Sequence, residues 1–424
     1  MSYKPRILLV PDMGWWVIGE MGKQIVSCFR DEYDLYLMPA TLLARRPDLI
    51  QELVPAVDAI HCISYETVEL FGNYDPRKLP PIATWIHHVT TWNPVQQLAV
   101  EMSSAVTTCT NEWKHYIDER IGGRIPVTVV PHGVDTEFFC PTVVKPGSFG
   151  IPPDRFVVGF LGSKGSDLDY GRKGTGTLLD VIRKAAACIP NLHVVMGGPG
   201  WEKEATDLRA LGVSVNSTGF VRKADLPALY SALDVYLLTS RVEGGPCTVF
   251  ESMACETAVV STRVGAVPEL IVDGVNGWSA DVDDSEGLLA AIVKLAHFPD
   301  SRTAIRKRAR STVLERSWAV ALSPLKGVYD NLIQQRQTMG SRAPGPSWMN
   351  EPGGLSRASC AADALLTVYT RVRKGSMNLT KGVRMLHEML NDQPIVDIVK
   401  GAAMIRRYRP ELFVRGGAKQ SLGH

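Results

Sequence analysis

The sequence contains no apolar run near the ~20 residues that crossing a bilayer requires. Its opening, MSYKPRILLVPD, also lacks the apolar core of about 7–15 residues that marks a secretory leader. A cytoplasmic protein, at most peripheral at a membrane, is therefore expected. Eight cysteines (28, 62, 109, 140, 188, 247, 255 and 360) are scattered without a CxxC pair, which suggests neither a zinc site nor a disulfide framework. The formal net charge of +2 is too small to imply a polyanionic partner for the whole chain. Internal repeats and low-complexity tracts are missing. So is any Asp-x-Asp in a metal-binding setting, because DVDD (281–284) follows an apolar strand and reads as a helix cap. No metal site is expected.

What remains is an ordinary globular composition, 45% hydrophobic and 21% charged over 424 residues, long enough for two or three domains. Short apolar runs alternate with helical patterns. The first series comprises RILLVPD (6–12), YDLYLMP (33–39), VDAIHCIS (57–64), PPIATWIHH (80–88), AVTTCTN (105–111) and VTVVPHG (127–133). A second comprises FVVGFLGS (156–163), LHVVMGG (192–198), VSVNSTGFV (213–221), DVYLLTS (234–240) and AVVSTRVG (258–265). Such alternation predicts parallel sheets buried on both faces, here two doubly wound α/β domains with a cleft between them. The Pro- and Gly-rich PTVVKPGSFGIPPDR (141–155) marks the boundary, giving domains at 1–145 and 146–317. A second such stretch, 337–354, precedes amphipathic helical patterns over 355–424. From residue 340 onward there are 13 Lys/Arg and 6 Asp/Glu, so this extension carries +7 and the rest of the chain −5.

The stretch richest in chemistry is EGGPCTVFE (243–251). A buried strand ends near Thr239–Ser240, a loop carries Glu243, and Gly244 and Gly245 permit a tight path. Pro246 suits the first position of a helix. The amides of Cys247, Thr248 and Val249 would then face the cleft, where an anion such as phosphate is the natural occupant. Glu251, about one and a half turns further on, need not share a face with Glu243. Two separate tasks at opposite ends of one ligand fit better than a shared proton.

Residues 243–278 resemble the donor-site signature of glycosyltransferase family 4, the retaining GT-B enzymes. The matching features are Glu243, seven residues, Glu251, the small-residue helix Ser252-Met253-Ala254, the strand Ala258–Ser261, and Gly265 with Glu269. PHGVDTEFF (131–139) is similar to that family's passage between domains. RSWAVALSPLKGVYDNLI (316–333) looks like its closing helices, the last of which, about 318–336, crosses back to the first domain. The likeness covers roughly residues 5–335 and implies a GT-B fold, two Rossmann-like domains facing across a cleft, with a C-terminal helical extension added.

The resemblance assigns roles position by position. Glu243 contacts hydroxyls of the transferred sugar and Glu251 holds the ribose. Lys173, in Lys173-Gly174, grips the diphosphate. The family's diphosphate-binding Arg falls at or near Ser163, where this chain departs from the pattern, and Lys164 or Arg172 supplies the second cation. Phe220, Val221 and Arg222 lie nearest the base, or the first two are core residues. Gly14 or Gly19 admits the donor phosphates to the first domain, beside Trp15 and Trp16, which line an acceptor groove or shield the loop. His87, with His88 as its neighbouring alternative, faces the donor sugar, and His132 serves as a hinge or interdomain hydrogen-bonding residue.

The expected function is retaining, metal-independent transfer from a nucleoside-diphosphate sugar, UDP- or GDP-linked, to an acceptor hydroxyl, with no cofactor. The rivals are a sugar-nucleotide epimerase of the same fold and a non-catalytic sugar-nucleotide or nucleic-acid binding protein. The basic extension allows an acidic acceptor (DNA, anionic lipid or a surface polymer), and its bland reading is a solvated helix face.

Overall fold

The computed structural model describes residues 4–14, 17–145, 147–164, 171–340, 342–343, 349, 359–368 and 385–386. Two six-stranded sheets, parallel throughout, form its frame. The first contains β1 (Arg6–Val10), β2 (Asp34–Leu37), β3 (Ala59–Cys62), β4 (Ile82–Trp85), β5 (Ala105–Thr108) and β6 (Val127–Val129), ordered β2-β1-β3-β4-β5-β6. The second contains β7 (Phe156–Leu161), β8 (Leu192–Gly197), β9 (Val215–Gly219), β10 (Val235–Leu238), β11 (Ala258–Thr262) and β12 (Trp278–Ala280), ordered β12-β11-β10-β7-β8-β9.

The unbroken apolar runs follow from burial on both faces. In β1, Ile7 and Leu9 enter one core with Met21 and Ile25, while Leu8 and Val10 enter another with Leu49 and Phe71. In β7, Phe156, Val158 and Phe160 pack with Leu178 and Val181, and Val157 and Leu161 pack with Val249 and Met253. Helix Pro324–Thr338 crosses back to the first domain, where Leu325, Tyr329 and Leu332 join the core of Ile7 and Leu9. Tyr329 Oη also lies 2.9 Å from His61 Nδ1.

All eleven expected strands are present. β12 was not expected, because three residues at a sheet edge, one of them serine, carry no periodicity to read. Strand order reverses between β1 and β3 and between β7 and β10, and ligands bind at the carboxyl ends of strands beside such reversals. Both reversals open toward one interdomain cleft, joined across it by Lys223 Nζ–Glu20 Oε2 (2.8 Å) and by the Trp113 Nε1–H bond to Glu243 O (2.9 Å).

Residues 359–368 of the expected extension are helical and dock on the first domain, with Ala362 and Leu366 in the core of Leu8 and Val10. The remainder of 355–424, apart from 385–386, lies outside the described residues, as do Trp15 and Trp16. No described helix is long and apolar enough to cross a membrane.

Candidate functional site

Glu243 sits in the loop after β10, buried at 9% exposure. Lys173 Nζ lies 2.6 Å from its Oε1, Ser240 Oγ donates to the same oxygen at 2.8 Å, and Arg172 Nη1 reaches Oε2 at 3.5 Å. Burial pushes this carboxyl up, but the Lys173 and Arg172 charges and the two hydrogen bonds outweigh it and hold it below the usual carboxylate range. Glu243 is therefore an anion that fixes two cations side by side. Lys164 is drawn elsewhere, 2.6 Å from Glu204, and Ser163 lines the cleft. Of the candidates for a second cation, Arg172 is the one that joins Lys173 on Glu243.

Lys173 owes its position to Gly174. That residue has φ of +62°, and a Cβ there would stand 1.9 Å from Thr239 O at the end of β10. Gly174→Ala should therefore cost at least ~3 kcal/mol through left-handed strain and backbone overlap together. Denaturant unfolding of the purified variant measures this, and a loss under ~1 kcal/mol contradicts the packing described.

Helix Cys247–Ala254 begins one residue later than expected, with Pro246 as its N-cap and no side-chain cap bond. The amide of Val249 is spent on Pro246 O at 2.9 Å, and Val249 itself is buried. Cys247 and Thr248, at the open end of the helix, line an interdomain cavity of about 350 Å³. Glu251 faces the same cavity and accepts a 2.6 Å bond from Tyr230 Oη. Burial keeps the Glu251 carboxyl above its ordinary range, although Tyr230 and Lys223 pull it down. Glu251 thus lines the groove, whereas Glu243 sits among cations outside its lining, and the charges of both act on Cys247 between them.

Other expected residues are distributed unevenly around that groove. Phe220 and Val221 line it, with Phe220 43% exposed. Arg222 is instead paired with Asp225 at 2.7 Å. Gly245 lies directly on His132, its missing Cβ 2.5 Å from the ring. His87 Nε2–H donates to Ile63 O at 2.7 Å, and its Nδ1 lies 3.3 Å from Cys109 Sγ, so both nitrogens are engaged. His88 is the ring that shares the field of Glu243, Arg172 and Lys173, and burial lowers its basicity first. Tyr230, Lys223 and Ser240 were missed, since tyrosine, lysine and serine outside a motif carry no distinguishing signal.

The first-domain loop has a different occupant. The Gly14 amide donates to Asp363 Oδ2 at 3.1 Å, and the Cα and Sγ of Cys360 fill the space where a Gly14 Cβ would stand. A Cβ at Gly19 would stand 2.3 Å from Met13 O, so helix-to-loop packing dictates that glycine. Asp12, next to this contact, is raised to about 6 by burial, with the charges of Glu66 and Asp363 adding to it. A carboxyl raised on folding stabilises most below its unfolded value and loses that contribution as pH climbs through about 6. Asp12→Asn should accordingly stabilise the protein by ~1–3 kcal/mol at pH 7.5 and by little at pH 4, as thermal melts at the two pH values would show. Equal melting shifts at both would contradict the charge effect.

Residues 155–297 match the family described as glycosyl transferases group 1. The second domain is a glycosyl transferases group 1 domain. Its uncapped helix start and both glutamates lie within the matched span. The chain is 27% identical to D-inositol 3-phosphate glycosyltransferase of Stackebrandtia nassauensis, across 59% of this chain and 58% of that protein. It is 30% identical to the lipopolysaccharide core biosynthesis mannosyltransferase LpcC of Rhizobium leguminosarum, across 50% and 61%. The chain thus spans about three-fifths of the length of these relatives. The whole architecture is that of the GT-B fold. HepE of Anabaena, solved with UDP and glucose, superposes with a TM-score of 0.64 at 18% identity, covering 77% of this chain and all of that one. Sucrose-phosphate synthase of Thermosynechococcus elongatus gives 0.66 at 15% identity, covering 78% and 100%.

Proposed function

We propose that this group 1 protein is a retaining glycosyltransferase that takes a sugar from a UDP- or GDP-linked donor to an acceptor hydroxyl. The observation that carries this reading is the pairing of Lys173 and Arg172 on Glu243 on one side of the helix start at Cys247, with Glu251 lining the cavity on the other. The solved GT-B neighbour holding UDP and glucose supports a uridine donor.

As the glycosidic bond breaks, negative charge gathers on the departing diphosphate. Lys173, Arg172 and the open helix start at Cys247 and Thr248 are fixed in advance to stabilise that charge, in a site largely shielded from water. This lets the diphosphate leave without a metal. Glu243, held by Lys173 and Ser240 on Oε1 and reached by Arg172 at Oε2, keeps the two cations aimed and accepts from hydroxyls of the transferred sugar. The departing phosphate then takes the acceptor's proton on the face it leaves, so the anomeric configuration is retained. Glu251 accepts from the ribose hydroxyls, and Phe220 and Val221 flank the base.

The test is incubation of the full chain with UDP-glucose, GDP-mannose and ADP-glucose, with and without EDTA, while nucleotide release is followed. Release of UDP or GDP that EDTA leaves unchanged supports the proposal. Conversion of a donor to its epimer without nucleotide release, or no turnover of any donor, overturns it.

A further inference from the structure

Beneath the Gly244-Gly245 turn, three neighbouring strand ends deliver three metal-binding side chains to one point. His87 follows β4, Cys109 follows β5 and His132 follows β6, and these strands are adjacent in the first sheet. His87 Nδ1 lies 3.3 Å from Cys109 Sγ, which lies 3.5 Å from His132 Nε2. All three donor atoms are within 4.8 Å of one another, so they form a compact triangle. The second domain seals it, since a Cβ at Gly244 would stand 3.2 Å from Cys109 Sγ and one at Gly245 2.5 Å from His132.

We infer that His87, Cys109 and His132 form a binding site for a zinc-class divalent cation at the seam between the two domains. Zinc takes imidazole nitrogen at about 2.0–2.1 Å and thiolate sulfur at about 2.3 Å, and tetrahedral angles then separate the ligand atoms by about 3.4–3.7 Å. The two nitrogen-to-sulfur separations, 3.3 and 3.5 Å, already match that, and the two imidazole nitrogens, within 4.8 Å of each other, would close toward it on binding. The set is two nitrogens and one sulfur, which suits zinc and its spectroscopic substitute cobalt better than magnesium or calcium.

The surroundings orient the ligands as well. Because Ile63 O can only accept, His87 must carry its proton on Nε2, leaving Nδ1 bare toward the triangle. Such a backbone partner is what ordinarily orients a metal-bound imidazole. On His132 the other nitrogen, Nδ1, lies 3.3 Å from Cys247 Sγ and would direct its proton there. Cys247 borders the donor cavity, which gives a cation a route in. On binding, the Cys109 S–H bond breaks, its proton passes to solvent, and the thiolate pair forms the bond to the metal; no electron is transferred. Neither Lys173 nor Arg172 belongs to the ligand set, although His132 lies within the field of Glu243.

Without a cation, the same atoms can run as a chain of neutral hydrogen bonds from Cys247 through His132, Cys109 and His87 to Ile63. A Co²⁺ titration of the full chain, reduced and stripped with EDTA, then dialysed, separates the two. The inference expects one equivalent of Co²⁺ to produce a near-ultraviolet thiolate-to-cobalt band with visible bands of tetrahedral cobalt, displaced by Zn²⁺. Cys109→Ser should abolish the thiolate band and Cys247→Ser should keep it. His87→Gln, the second variant should Cys109→Ser fail to fold, should weaken Co²⁺ binding by at least about tenfold. A wild-type protein without the cobalt bands, a band that survives Cys109→Ser, or unchanged affinity in His87→Gln overturns the site.

Discussion

Glu243→Gln should lower kcat by about 10²–10³-fold, the range typical for losing one preorganised electrostatic contact in a transition state. Glutamine fills the same volume and still accepts from Ser240, but it removes the anion that Lys173 meets at 2.6 Å and Arg172 at 3.5 Å. Both cations then lose the group that aims them, and an amide N–H₂ is set against one of them. The donor's KM should change much less than kcat, because the proposed ribose and base contacts are made by Glu251, Phe220 and Val221 and not by Glu243. Steady-state kinetics with nucleotide release as the readout gives both parameters. A kcat within about twofold of the parent would remove Glu243 from the account.

Lys173→Ala should be the second large effect, again about 10²–10³-fold in kcat, with a larger loss of stability than Glu243→Gln, whose freed cation side chains are 20% and 21% exposed against 11% for that of Glu243. Truncating one partner of a buried pair strands the other. Glu243 would be left buried with Ser240 and a single cation at 3.5 Å, a change of the kind that costs about 3–5 kcal/mol. Its carboxyl would move upward, since the largest force holding it down against burial is Lys173. The double variant Glu243→Gln/Lys173→Ala should be more stable than Lys173→Ala alone and lose far less activity than the two single losses multiplied, because the pair acts as a unit. Denaturant unfolding and kinetics on the four proteins complete the cycle. Strict additivity in both measurements would show that the two residues work independently.

The frame was legible because buried parallel strands leave unbroken apolar runs, and eleven of them could be placed. β12 escaped because three edge residues hold no pattern. The local chemistry of EGGPCTVFE could be read from glycine, proline and carboxylate spacing alone, but the length of its helix start could not. Pro246 is the cap, and Val249 spends its amide on it.

Long-range partners were out of reach for a stronger reason. That Arg172 joins Lys173 on Glu243 while Lys164 turns to Glu204 depends on how the chain between them is routed, which spacing does not encode. The same holds for Asp363, 349 positions from Gly14, whose carboxylate takes the loop amide expected to approach phosphate. His87 shows the limit of a motif position: it stands at the strand end as anticipated, yet both its nitrogens face inward to Ile63 and Cys109.

The central claim concerns where a donor lies, and a crystal structure of the full chain with UDP tests it most directly. The account predicts the β-phosphate against Lys173, Arg172 and the amides of Cys247 and Thr248, with the ribose hydroxyls on Glu251 and the base beside Phe220 and Val221. A UDP bound with its ribose away from Glu251, or with its phosphates against the Gly14 loop instead of the helix start, would contradict it.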